Sequence, residues 1–165
     1  MVDPPAHAYP ALMDDPLPPD RSHGSQTSQS QALYTLHGVV VATVLGSLAA
    51  AVVIVCLNYW KLGAQALARK VAIAGGALYL LVIGLSSLLP GSLEVGLAMV
   101  AVQAGLGYAL ANQLQGSTIR YHVANGGRAH SNFRAAGVGL GTGLAIFFVA
   151  IFVLALFQVG APAAA

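Results

Sequence analysis

Val39 to Leu57, VVVATVLGSLAAAVVIVCL, is 19 residues long and holds no charged side chain. A helix rises about 1.5 Å per residue, so the stretch reaches roughly 28 Å as a helix. The hydrocarbon core of a bilayer is about 30 Å thick and is crossed by about 17 to 25 apolar residues. The run is apolar on every face. A lipid-embedded helix tolerates that, whereas a membrane barrel strand alternates polar and apolar positions.

Three more runs of the same kind follow. Val71–Leu89 has 19 residues, Val95–Ala111 has 17 and Ala135–Phe157 has 23, all uncharged. Charged residues are 7% of the 165-residue chain and mean hydropathy is +0.75. A soluble domain carries about 25% charged residues, and one this poor in charge would expose large apolar patches. The expected fold is therefore an all-α integral membrane protein, a four-transmembrane-helix bundle over 34–160. Its spans are expected at about 36–58, 70–89, 93–114 and 134–158. Residues 1–33 hold six of the eight prolines and four of the five acidic residues, with a polar run from Ser22 to Gln31. That composition predicts a disordered tail, and it lacks the basic start and apolar centre of a signal peptide. Residues 161–165 form a short C-terminal tail.

The loops alternate in charge. Lys61, Arg69 and Lys70 lie between the first and second runs, and Arg120, Arg128 and Arg134 between the third and fourth. The opposite side carries only Arg21. Basic residues flanking spans stay in the cytoplasm, which predicts an N-out, C-out chain. Pro90, Gly91 and Ser92 predict a tight outer turn. Tyr59, Trp60 and Tyr121 fall where interfacial aromatic belts lie.

Polar residues within the runs are few. His37 and Glu94 are both placed at the outer face, within reach of each other. Gln103, near the middle of the third run, requires a hydroxyl or carbonyl partner from another helix. Gly137, Gly139, Gly141 and Gly143 form overlapping small-xxx-small pairs that admit a close neighbouring backbone. Their setting inside an apolar span excludes a dinucleotide-binding loop, which needs a strand before it. Cys56, the one cysteine, reads as a small buried hydrophobe.

The loop 115–134 is the richest polar stretch. Asn125-Gly126-Gly127 signals a turn, and Ser131 is placed to cap the last helix. Arg120, Arg128 and Arg134, with Asn132 and His122, either set topology or hold the phosphate of a headgroup or nucleotide. His122 and His130, without Cys or carboxylate beside them, do not make a metal site. No catalytic constellation, metal set or cofactor motif is found, and net charge +2 gives no nucleic-acid-binding stripe.

Asn58 with Leu62-Gly63, and His122 with Gly126-Gly127 and Ser131-Asn132-Phe133-Arg134-Ala135, resemble a pattern in small uncharacterised bacterial inner-membrane proteins. The resemblance implies a bacterial inner membrane and no activity. The function expected is that of a non-enzymatic accessory or interaction component acting through a basic cytoplasmic face. Its expected partners are membrane lipid and another membrane protein or a second copy. The alternatives are an oligomeric passive pore or small-solute carrier, and anionic-lipid binding by the 115–134 loop.

Overall fold

The structure is a computed structural model that describes residues 31–159. The expected disordered tail, apart from its last three residues, lies outside the described residues, as does the short tail 161–165. Four helices follow in order: α1 (Leu36–Lys61), α2 (Gln65–Ser86), α3 (Leu93–Ala124) and α4 (Asn132–Val159). All four are long and apolar enough to cross a membrane by length and composition. The protein is thus an all-α, multi-pass membrane protein of the expected class, and no strand is formed among the described residues.

Two boundaries differ from expectation. α2 begins at Gln65, because Gly63 takes the left-handed conformation (φ +74°) that ends α1, and the Ala-rich run behind it has no breaker. α3 continues ten residues beyond the expected end of its span, to Ala124, so half of the expected 115–134 loop is helix. The first strong breaker is Asn125-Gly126, where Asn125 caps the helix and Gly126 sits at φ +78°. At the other end of the bundle the Ser92 hydroxyl caps α3 by accepting from the Val95 N–H at 3.4 Å.

The larger departure is inside α1. A straight helix would separate Tyr34 from Asn58 by about 36 Å. Instead the Asn58 amide accepts from the Tyr34 N–H at 2.9 Å and donates to the Tyr34 carbonyl at 3.1 Å. The reversal occurs at Gly46 (φ −132°, ψ 15°) and Ser47 (φ 71°, ψ 178°), the only non-helical residues inside α1. Residues 36–45 and 48–61 are therefore two antiparallel arms of about 15 and 21 Å, each shorter than a bilayer's apolar core of about 30 Å. The expectation of a first helix running from one face to the other is corrected. Its two ends lie at the same end of the bundle.

Small residues make the reversal possible. On the first arm Gly38, Ala42 and Gly46 face Ala135, Gly139 and Gly143 of α4, which runs parallel to it. A Cβ on Gly46 would stand 2.0 Å from the Gly139 carbonyl oxygen, and one on Gly139 would stand 2.6 Å from the Ala42 carbonyl oxygen. Gly107 of α3 packs on Thr43 and Ala51, and Gly75 of α2 packs on Val52. The hairpin is the core. Val39, Ala42, Leu48, Ala50, Ala51, Ile54 and Val55 are fully buried, while α2, α3 and α4 pack on α1 and scarcely on one another.

Candidate functional site

Buried polar groups must find partners, and in lipid water cannot supply them. At the reversal, Gln103 does this: its Oε1 accepts from the Leu48 N–H at 3.0 Å, capping the first free amide of the second arm. Thr43 Oγ1 donates to the Val39 carbonyl at 2.7 Å. The Ser47 hydroxyl is buried without a partner, and it borders a cavity of about 90 Å³ shared with Thr43, Val44, Val100 and Gln103.

At the open end of the hairpin, Asn58 (0% exposed) and Gln115 (1% exposed) form a satisfied amide pair. Asn58 Nδ2 donates to Gln115 Oε1 at 3.1 Å, and Gln115 Nε2 donates to the Val55 carbonyl at 2.9 Å. With the two bonds to Tyr34, this pair ties the segment before α1 to the end of α1 and to α3. The same segment pairs with the loop before α4. The Leu33 N–H donates to the Arg128 carbonyl at 3.1 Å and the His130 N–H to the Leu33 carbonyl at 2.8 Å. Leu33 is 2% exposed, so the chain is packed before α1 begins.

This clasp brings cations together. Lys61 Nζ donates to the Ala32 carbonyl at 2.8 Å, lies 5.2 Å from the centre of the Tyr34 ring and touches His130 Nε2. The Tyr34 and His130 rings are 4.5 Å apart. Arg134, one turn into α4, places Nη1 3.4 Å from His130 Nδ1. Partial burial, then the charges of Lys61 and Arg134, hold the His130 pKa below its ordinary value of 6.5, so the imidazole is neutral at neutral pH. A neutral imidazole accepts at only one nitrogen, yet donors stand at both. Among the described residues the sole carboxylate is Glu94, and Gln115, at the basic end, is 21 residues further along α3, about 31 Å away.

The expected site residues divide accordingly. Arg134 joins the cluster. Arg120 turns back along α3, donating from Nη1 to Asn112 Oδ1 at 3.2 Å. Arg128 is exposed and contributes its carbonyl, which also lies 3.3 Å from His122 Nε2. Asn132 is exposed at the start of α4, where the Arg134 N–H donates to Ser131 Oγ at 3.4 Å. His37 starts the first arm at the basic end, so it and Glu94 lie at opposite ends and make no contact. Gly139 and Gly143 face α1, whereas Gly137 and Gly141 have open space around them. Sequence reasoning did not assign Asn58, Gln115, Tyr34, Lys61 and His130 to a site, because an amide, tyrosine or lysine at a span end is ordinary at an interface. Comparison with known families, curated proteins and solved structures gives no match.

Proposed function

We propose that this chain is a non-enzymatic accessory or interaction protein of a bacterial inner membrane, meeting an anionic partner at its basic, cytoplasmic end. The observation that carries this reading is the convergence of Lys61, His130 and Arg134 with no carboxylate beside them among the described residues. The resemblance of its two loops to bacterial inner-membrane proteins supports the compartment. The cytoplasmic assignment follows from the six basic residues at or near one end.

With both ends of α1 on that side, the hairpin enters and leaves from the cytoplasm and three helices cross. The topology is then N-in and C-out, which replaces N-out. Reporter fusions test it. Fusions before Gln31, after Gly63 and after Gly127 are expected to signal cytoplasm, and a fusion after Val159 the outside. An external signal at Gly63 and Gly127 would overturn the basic-end reading, and one at Gln31 alone would overturn the re-entrant topology.

A second reading, a passive pore for small uncharged solutes formed by several copies, is favoured by one observation. The orphan Ser47 hydroxyl and Gln103 border a cavity at a break in the helix, where lipid offers no hydrogen bond. Proteoliposomes are expected to pass water or glycerol faster than protein-free vesicles, with Ser47→Val slowing the flux. Equal rates with and without protein exclude this reading.

A further inference from the structure

We infer that the basic end holds an anionic phospholipid, its phosphate at Lys61 and one acyl chain lying between the second arm of α1 and α2. The inference rests on the reading that this end meets an anionic partner, and it names the partner.

Two cavities adjoin there, both lined by Leu57 and Trp60. One, of about 560 Å³, opens at Lys61 and is lined also by Gln31, Ala32, Gln65, Leu57 and Trp60. The other, of about 380 Å³, shares Leu57 and Trp60 with it and runs along α1 as far as Ala49. From Trp60 to Ala49 is about 16 Å along a helix. Its remaining lining, including Val53 and Ala72, is apolar but for Cys56 and Tyr79. The combined space is polar and cationic at one end and greasy along the rest, which is the pattern of a phospholipid.

Charge complementarity selects among occupants. A neutral lipid would fill the groove but leave Lys61 and Arg134 without a counter-charge among the described residues. A free phosphate would answer the charge and leave the groove empty. An anionic phospholipid does both, and Trp60, 66% exposed at the junction, sits where indoles favour the headgroup level. A basic side chain near an anionic surface contributes about 1 kcal/mol, equivalent to about a fivefold change in affinity.

Trp60 is the chain's one tryptophan, so its fluorescence reports on the site. The full-length protein in non-ionic detergent is titrated with short-chain phosphatidylglycerol, with phosphatidylcholine of the same chains, and with inorganic phosphate. Phosphatidylglycerol is expected to shift the emission saturably, at about fivefold lower concentration than phosphatidylcholine, and phosphate is expected to have no effect. Lys61→Gln should erase that preference. Arg134→Gln, which touches none of the backbone bonds of the clasp, should reduce it. Ala72→Phe, which narrows the groove and leaves the charges, should weaken both lipids.

Equal midpoints for the two lipids in the unaltered protein would overturn the inference. A phosphate response equal to that of phosphatidylglycerol would overturn it too, while leaving a soluble-anion site and the basic-end reading standing. The basic-end reading fails separately, by the reporter fusions.

Discussion

Replacing Gly46 by valine is expected to abolish the native packing of α1 on α4, at a cost of at least about 3 kcal/mol, the upper part of the range for overpacking. The reason is the identity of the neighbour. A Cβ at residue 46 would meet the Gly139 carbonyl oxygen at 2.0 Å and its carbon at 2.6 Å, and these are backbone atoms that no rotamer change can move. Either the arms separate or α4 shifts along its whole contact with the hairpin. Separation would expose Leu48 and other fully buried core residues and uncap the second arm. Gly139→Val should act similarly, its Cβ meeting the Ala42 backbone at 2.6 and 2.8 Å. Gly137→Ala and Gly141→Ala are internal controls on the same helix. Nothing lies within 4 Å of either added Cβ, and each should change stability by less than about 0.5 kcal/mol. Thermal unfolding of the detergent-solubilised variants measures all of these. An unchanged melting temperature for Gly46→Val would mean that α1 does not reverse against α4.

Asn58→Ala should cost about 3 kcal/mol, because it strands several buried groups at once. The Tyr34 N–H, the Tyr34 carbonyl and Gln115 Oε1 each lose a partner, in a place where Asn58 is 0% exposed. The loss falls on the clasp rather than on the helices. Residues 32–34 should detach from Lys61 and from the 128–130 loop, and chymotrypsin should then cut after Tyr34, which is 8% exposed in the folded chain. Gln115→Ala removes the other half of the pair and also releases the Val55 carbonyl. The double variant should be less destabilised than the sum of the two, by about 0.5 kcal/mol or more for groups in direct contact. Strict additivity, or an Asn58→Ala cost below about 0.5 kcal/mol, would show that the pair does not hold the clasp.

Much of the fold is legible in the sequence because membrane insertion depends on composition over about twenty residues, a quantity that summing side chains captures. The four apolar runs are of this kind, and the turns at Pro90-Gly91-Ser92 and Asn125-Gly126-Gly127 are marked by their own residues, but that α3 would continue unbroken to Ala124 was not legible. Gln103's need for a partner was legible as well, because an amide in hydrocarbon cannot remain unpaired. That the partner would be the backbone N–H of Leu48, 55 residues earlier, was not.

The candidate site was legible only in part. Arg134 could be picked out as a cation beside a helix start. Lys61, at the end of α1, and His130, a histidine with no ligand set, join it only because Leu33 pairs with Ala129 and Asn58 holds Tyr34. Those are long-range pairings with no periodicity to betray them.

By itself the sequence determined that the chain is helical, embedded in lipid and basic at its loops. The tertiary structure decided which way the first helix goes. Hydropathy sums are blind to direction, so a run that crosses and a run that turns back score alike. Nor does glycine settle it locally, since Gly75 and Gly76 of α2 remain helical. Gly46 turns because α4 presents Gly139 and Gly143 to it, and only side-chain-free backbones on both partners let the two approach so closely.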